Sequence, residues 1–491
     1  MTTLASAAPS ALATKRGKLI LALLCSIAFL DFIDASITNV ALPLIRDDLH
    51  VSVQGLQWVP SGYLLTYGGF MLLGGRLADL IGRKRIVSIG TALIGVSSLA
   101  GGLAQNEGTL VAARLFQGLG AALMLPAALS ILTTTFTVPA ERQKALGVWG
   151  GVGGLASAAG VLLGGILTDG PGWRWVFFVN PPAAALVLVG IFRLLPADIP
   201  LRERRSFDLV GSTLVTSGML LLVFALVKAP TEGWGSTITI VRLVGAGVLL
   251  AAFVATEATA RNPLLPLDIF RVRGLAAADI TQLIAFAGFV AIFFFLTLYM
   301  QNVLGYSPIK TGAAYLPLCF AIGVFAGITG QLIGKVGTRP LIVSGALITS
   351  AGVFMLSRIP VHGSYVSDLL PGLLVVSVGI AGVFVATITA ANDGVPADKA
   401  GLAAGLLNAS QQLGGALGLA IYSAIATART THLLAHHASP AHAQTSGFSR
   451  ALLTGSILLF VAALVAVRSP NTRGQNPDLL DELPNLEGAQ R

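Results

Sequence analysis

Long apolar runs alternate with short polar breaks along almost all of this 491-residue chain. An apolar run of about 20 residues is long enough to cross the roughly 30 Å hydrocarbon core of a bilayer as an α-helix. The pattern lacks the strict alternation of outer-membrane strands, so it predicts an all-α polytopic membrane protein. We predict fourteen spanners, near residues 19–43, 56–76, 86–105, 108–132, 143–168, 174–195, 208–228, 238–257, 276–300, 311–333, 339–357, 367–390, 400–427 and 449–468.

The connections between spanners are predicted to be short, except near 196–207, 258–275 and 428–448. The polar, Pro-containing tail from Ser469 is predicted to be disordered. The basic N-terminus followed by an apolar run is similar to a signal peptide, but this run is too long and contains Asp31 and Asp34. It is therefore interpreted as an uncleaved first spanner.

Composition and charge agree with this class of protein. Only 11% of residues are charged and mean hydropathy is +0.81, whereas soluble domains carry about 25% charged residues. The net charge of +9 comes from basic residues scattered over short loops, which argues against a nucleic-acid partner. With the N-terminus inside, the cytoplasmic segments hold 22 Lys and Arg residues and the outer segments hold 8. Cytoplasmic loops retain basic residues, so both termini are predicted to be cytoplasmic.

Two stretches at matching places in the chain suggest an internal repeat. GQLIGKVGTRP at 330–340 resembles GGRLADLIGRKR at 74–85, although it lacks an acid equivalent to Asp79. Two related six-helix halves are a transporter architecture with the substrate site between them. The predicted division is a cytoplasmic tail (1–18), a first six-helix bundle (19–195), two inserted helices with linkers (196–275), a second six-helix bundle (276–468) and a disordered cytoplasmic tail (469–491).

Asp31, Asp34 and Arg114 are charged residues inside predicted spanners, where each costs about 2.5–3.5 kcal/mol. Asp31 and Asp34 share a face of the first spanner, and Arg114 lies in the fourth. At about 1.5 Å per residue, Asp34 would be roughly 14 Å deep and Arg114 roughly 9 Å, a difference that an Arg side chain can bridge. One interpretation is a proton-coupling site formed by these three residues. The alternative is a static ion pair that joins two helices.

Glycines are dense in the fifth predicted spanner. Small residues four apart let helix backbones approach closely, so this segment is predicted to form a helix-packing seam that closes and reopens. Ordinary tight packing is the alternative. The seam residues are Gly150, Gly154, Gly160, Gly164 and Gly165.

Other candidate features carry weaker signals. A tract of His432, His436, His437 and His442 is similar to a metal-binding run, but a flexible exposed loop is the favoured explanation and no metal site is predicted. The two cysteines give no disulfide framework, and no GxxxxGK[ST] loop for ATP is present. Some polar and aromatic residues would suit a substrate-cavity wall, although packing is an alternative for each: Tyr63, Tyr67, Gln117, Trp149, Asn408 and Gln411.

Four motifs together resemble the major facilitator superfamily, in its fourteen-spanner drug:proton antiporter branch. GGRLADLIGRKR matches the family's loop motif, ARLFQGLGAA at 113–122 its helix 4 motif, and the run 34–43 its helix 1 motif. Gly160 to Gly165 match the antiporter helix 5 motif, with Val161 where Pro is frequent. The resemblance implies that Gly75, Asp79, Gly82 and Arg83 form a cytoplasmic latch that steadies the outward-open state.

The resemblance also implies alternating access, with inward proton flow driving export of lipophilic or cationic drugs and antibiotics across the cell membrane. A bilayer, protons and a small-molecule substrate are then the partners, no cofactor is needed, and the protein is expected to be a monomer. A symporter, or an exporter of a specific metabolite or siderophore, is the alternative. An enzyme is disfavoured because no spanner offers a nucleophile and base, and a sensor because both tails are short.

Overall fold

The computed structural model describes residues 11–198, 208–260, 263, 265, 267–272, 274–393, 395 and 400–473. Helices and the turns between them account for these residues, and no strand occurs in these ranges. A helix satisfies its own backbone hydrogen-bonding groups, which is what a chain in hydrocarbon requires.

The long helices follow the predicted spanners in order. They are α1 (Lys15–Leu49), α2 (Trp58–Ile81), α3 (Arg83–Gly102), α4 (Glu107–Thr135), α5 (Pro139–Asp169), α6 (Asn180–Leu194), α7 (Leu209–Glu232), α8 (Thr237–Thr259), α9 (Leu275–Leu298), α10 (Pro308–Val336), α11 (Thr338–Leu356), α12 (Leu370–Asn392), α13 (Ala400–Ala435) and α14 (Pro440–Ala466).

The surface of the helices is apolar, as a lipid-facing surface must be. Phe320 is 77% exposed and Leu186 is 75% exposed, and many other large apolar side chains share the outer face. Within the described residues, eleven helical segments are long and apolar enough to cross a membrane. The chain is therefore a multi-span helical membrane protein.

The prediction of a long outer loop over 428–448 is wrong. α13 continues to Ala435 and α14 already begins at Pro440, so only a tight turn separates them. Ser439 caps α14 by accepting a hydrogen bond from the His442 N–H at 3.4 Å, and proline at the first helical position has its φ already set. The low hydropathy of this segment led to its prediction as a loop.

The helices pack as two sets of six with a pair beside them. In the first set α1 packs on α5, α2 and α3 pack on α4, and α3 packs on α6. In the last set α9 packs on α13 and α14, and α11 packs on α12 and α14. α7 packs on α8 and also contacts α2 and α13. The two sets meet chiefly through α5 against α10 and α2 against α13.

The meeting of α5 and α10 is tight at one end and open at the other. A Cβ placed on Gly165 would lie 2.7 Å from the Ile309 Cα, which leaves no room for a side chain. At the opposite end, nothing approaches within 4 Å of such an atom on Gly151 of α5 or on Gly330 of α10. The two sets of helices are thus in contact where α5 ends, whereas Gly151 and Gly330 have open space beside them.

Candidate functional site

A buried ion pair joins α1 to α4. Arg114 Nη1 lies 2.7 Å from Asp34 Oδ2, and both side chains are at most 2% exposed. The same guanidinium donates through Nε to the Val59 carbonyl oxygen of α2 at 3.0 Å, and it lies 4.4 Å from the centre of the Tyr63 ring. The structure therefore brings Asp34 and Arg114 into the contact that the depth estimate anticipated. Their role in proton coupling stays a prediction.

Two further helices contribute to the surroundings of Asp34. Gln117 Nε2 donates to Asp34 Oδ1 at 2.9 Å, and Asn180 Nδ2 of α6 donates to the same oxygen at 2.5 Å. Ser98 of α3 accepts from Gln117 Nε2 at 2.7 Å. Sequence reasoning missed Asn180 and Ser98, because an Asn before two prolines is typical of a turn and a lone Ser is common in apolar helices. The carboxylate is held by donors from α4 and α6 in a site closed to water.

Asp31, one turn before Asp34, has its own donors. Tyr63 donates from its hydroxyl to Asp31 Oδ1 at 2.7 Å, and Tyr67 donates to Oδ2 at 3.0 Å. Asp31 is 3% exposed and both tyrosines are 2% exposed. The predicted cavity residues Tyr63 and Tyr67 therefore donate hydrogen bonds to an acid of α1. The face of the Tyr63 ring also contacts the Arg114 guanidinium.

The other predicted cavity residues lie in different surroundings. Gln117 is fully buried within the Asp34 cluster, so it supports the ion pair in this conformation. Trp149 is half-buried against the core of the first six helices. Asn408 and Gln411 are half-buried on α13, and Gln411 accepts from Gln282 of α9 at 3.3 Å. A role for any of them in substrate binding stays a prediction.

The predicted latch lies at the junction of α2 and α3. Gly82 separates the two helices with φ of +119°, a backbone conformation that only glycine adopts readily. Arg83 Nη1 donates to Thr134 Oγ1 of α4 at 2.9 Å, and Gly75 faces Pro126 of the same helix in ordinary contact. The side chain of Asp79 is outside the described residues.

An acid that sequence reasoning missed binds the start of α3. Asp198, just after α6, accepts hydrogen bonds from the backbone N–H groups of Lys84 at 2.9 Å and Arg85 at 3.0 Å. Unpaired N–H groups and the helix dipole make a helix N-terminus favourable for a carboxylate. Lys84 Nζ also donates to the Leu195 carbonyl oxygen at 2.6 Å, so the end of α6 is bonded to the start of α3, and the latch role of this turn stays a prediction.

The repeated stretch near 330–340 is held in the same way. Gly337, with φ of +86°, separates α10 from α11. Asn471, just after α14, accepts from the Arg339 N–H at 3.1 Å, and the Thr338 N–H donates to the Thr472 carbonyl oxygen at 2.7 Å. The first residues of the tail predicted to be disordered, 469–473, are therefore bonded to α11. Residues 474–491 are outside the described residues.

The glycines of α5 serve two different neighbours. Gly160 and Gly164 lie against α1, close to Ser36 and Ile37. Gly165 lies against α10, on the other set of six helices. The predicted seam is thus a junction of three helices at one end of α5. Gly150 and Gly154 lie in the first half of α5, and their surroundings are outside what the structure describes.

The histidine tract forms a helix end. His432 and His436 stack with ring centroids 4.3 Å apart, and His436 Nδ1 lies 2.7 Å from the His432 carbonyl oxygen. No group of three or more potential ligands able to hold a metal ion occurs in the part of the chain that the structure describes.

The fold and the site define a polytopic helical membrane protein with an ion pair sealed inside its first six helices. The family model of the Major Facilitator Superfamily matches residues 24–419, and the chain belongs to that superfamily.

Several relatives at high coverage are named as resistance or export proteins. The chain is 40% identical to the puromycin resistance protein pur8 of Streptomyces alboniger over 84% of this chain and 83% of that protein. It is 36% identical to the tetracenomycin C resistance and export protein of Streptomyces glaucescens (81% and 73%). It is also 36% identical to the cephamycin export protein CmcT of Amycolatopsis lactamdurans (92% and 93%).

Solved structures share the fold at low sequence identity. A D-xylose-proton symporter superposes with a TM-score of 0.65 at 13% identity, covering 94% of this chain and 99% of that one. A bacterial homologue of the human lysosomal transporter Spinster gives 0.63 at 18% identity, covering 94% and 99%. At these identities the likeness concerns the fold alone.

Proposed function

We propose that this protein is a proton-coupled antiporter that exports lipophilic or cationic small molecules, antibiotics among them, across the cell membrane. The proton gradient supplies the energy, no cofactor takes part, and the protein works as a monomer. The observation that carries the proposal is the sealed Asp34–Arg114 pair, 2.7 Å apart with both side chains buried. The names of relatives that confer puromycin resistance or export cephamycin support an exported antibiotic.

The proposed topology has fourteen membrane crossings with both termini in the cytoplasm. α2, α7 and α13 coincide with predicted spanners and complete the series formed by the eleven qualifying segments. The first six-helix bundle spans 19–195 and the second spans 276–468, with α7 and α8 inserted between them. In this orientation the close contact at Gly165 is outside and the open space beside Gly151 and Gly330 is cytoplasmic, as expected of an inward-open conformation.

The ion pair links proton binding to helix position. A proton on Asp34 would cancel the carboxylate charge and leave Arg114 without a counter-ion in a site of low dielectric, which is unfavourable. Arg114 is bonded to α2 and Asp34 to α6. A change of charge at Asp34 therefore alters contacts among four helices, and this couples protonation to the rearrangement that exchanges inner and outer access.

Transport in energised vesicles tests the proposal. Inside-out vesicles that carry the wild-type protein are expected to accumulate puromycin when a proton gradient is imposed, and substrate addition should release protons from them. Asp34→Asn should abolish gradient-driven uptake while the protein remains in the membrane at normal abundance. Asp47→Asn is the matched control, because Asp47 is exposed and, among the described residues, bonds its neighbour Arg46.

Two results would overturn the proposal. Gradient-driven uptake that survives in the Asp34→Asn variant would remove the coupling role. Proton movement in the same direction as the substrate would instead indicate a symporter.

A further inference from the structure

Asp279, in the second turn of α9, is a buried acid that neither the sequence motifs nor the ion-pair cluster uses. Its side chain is 7% exposed, and neither carboxylate oxygen has a hydrogen-bond partner among the described residues. Thr281 and Gln282 are also buried, and each has a side-chain oxygen without a donor there. Burial of a charged or polar group without a partner is costly, so this part of α9 holds an excess of acceptors.

The face of α9 that carries Asp279 is turned toward the junction of the two sets of six helices. Gln282, three residues later and therefore on the same face, donates to Gln411 Oε1 of α13 at 3.3 Å. One turn further, Phe286 approaches α13 at Gly415, where Leu64 of α2 also lies. By helical register, Asn408 of α13 lies one turn before Gln411, at the level of Asp279.

Polar groups continue from this face into the first six helices. Gln412, next to Gln411 on α13, packs against α2 at Gly68, the residue after Tyr67. Tyr67 in turn donates to Asp31 at 3.0 Å. The acceptors near Asp279 are thus one end of a series of polar residues that crosses from the last six helices to the first six. Asp31, at the other end of the series, already accepts hydrogen bonds from two tyrosines.

We propose that Asp279 anchors the amine of a cationic amphipathic substrate, in a binding site that α9 and α13 form at the junction. The proposal rests on the proposed export function and specifies its substrate class. A protonated amine brings the positive charge and the N–H donors that the Asp279 carboxylate and the Gln282 side-chain oxygen lack among the described residues. Phe286 and Phe384, with ring centroids 5.9 Å apart, offer an apolar aromatic surface for the body of the same molecule.

Equilibrium binding to the full-length protein in lipid nanodiscs tests this site. The probes are rhodamine 6G, an aromatic cation with N–H groups, and Nile red, which is aromatic and neutral. Asp279→Asn keeps the shape and removes the charge, so it should weaken rhodamine 6G binding by about tenfold or more and leave Nile red binding unchanged. Asp279→Glu should retain cation binding, and Asp47→Asn controls for loss of an acid elsewhere.

Thermal unfolding separates a binding role from a structural one. Because Asp279 has no bonded partner among the described residues, Asp279→Asn should leave the Tm equal to or above that of the wild type. A lower Tm with equal loss of both probes would overturn the proposal, as would unchanged rhodamine 6G affinity, which would leave Asp279 a proton site or an inert acid.

The failure of this proposal can be told from the failure of the proposed function. A wild-type protein that transports puromycin but binds no rhodamine 6G would overturn the cation site and leave the export function standing. If rhodamine 6G binds through Asp279 but the wild-type protein shows no puromycin uptake driven by the proton gradient, the export function is overturned and the cation site stands.

Discussion

Tyr63 donates its hydroxyl hydrogen to Asp31 across 2.7 Å, which ties α2 to the first acid of α1. The ring of the same tyrosine lies 4.4 Å from the guanidinium of Arg114. The Tyr63 side chain therefore contacts both Asp31 and the Asp34–Arg114 pair. A change in the charge of either acid is thus expected to alter the interactions of the other through Tyr63.

Tyr63→Phe removes the hydrogen bond to Asp31 and retains the ring beside Arg114. We expect it to lower the free energy of unfolding by about 1–3 kcal/mol, because a buried acceptor loses a donor. Tyr63→Leu also removes the cation–π contact and should lower it by about 0.5–2 kcal/mol more. Denaturation in detergent measures the free energy of unfolding of both variants. Tyr67→Phe is the matched variant, because it removes the other hydroxyl that donates to Asp31. Equal stabilities of Tyr63→Phe and wild type would contradict the role given to this bond.

Arg114→Lys tests whether the geometry of the guanidinium matters as well as its charge. Arg114 bonds Asp34, Gln117 and the Val59 carbonyl oxygen through separate N–H groups, and an ammonium cannot reproduce that fork. The Arg114→Lys variant should therefore fail to support gradient-driven transport in the vesicle assay. Arg114→Met leaves Asp34 unpaired and should cost about 3–5 kcal/mol in stability.

The matching double variant completes the Arg114 test. Asp34→Asn combined with Arg114→Met removes both charges, so it should recover much of the stability lost by Arg114→Met and none of the transport. A thermodynamic cycle from the four proteins gives the coupling energy between the pair. A coupling energy near zero would mean that the ion pair contributes nothing.

Asp198→Ala removes the carboxylate from the start of α3. The loss of a helix cap costs about 0.5–2 kcal/mol, and here it also frees the end of α6 from the latch. We expect lower stability and a changed distribution of distances between spin labels placed at the open ends of α5 and α10. Asn471→Ala is the matched change in the second half. If the distance distribution is unchanged in both, the two caps are structural supports only.

Gly165→Val tests the closed end of the α5–α10 contact. A side chain there would meet the backbone at Pro308 and Ile309, and overpacking of a close contact costs about 1–3 kcal/mol. The variant should therefore move the population toward conformations that are open at this end, as seen by spin-label distances across it. Gly151 lies on the same helix, and a Cβ placed on it has nothing within 4 Å. Gly151→Val should therefore leave the distribution of conformations unchanged.

The sequence predicted the order of helices well, because runs of about 20 apolar residues have few other uses. It also indicated that the Arg114 side chain could reach Asp34, since the two residues lie at similar depths below the same side of the membrane. It failed where hydropathy is low but helix formation continues, as over 428–448, because a helix near a membrane surface tolerates polar residues.

The missed site residues have a common reason. Asn180 is 146 positions from Asp34, and Asp198 lies in a polar stretch 114 positions after Lys84. Their partners are determined by tertiary packing, which no local pattern reports. Asp279 stands close to the polar start of its spanner, where an acid is expected at the membrane surface, so only its burial in the structure sets it apart.

Gly82 and Gly337 occupy equivalent turns, yet the caps beside them differ in kind. Asp198 is a carboxylate and Asn471 is a neutral amide. The interaction of a charge with a helix terminus is screened by dissolved ions, whereas a hydrogen bond from a neutral amide oxygen is nearly indifferent to them. A higher ionic strength should therefore weaken the attachment of Asp198 to the start of α3 and leave that of Asn471 to the start of α11 nearly unchanged. Added salt would thus act selectively on the first half of the molecule.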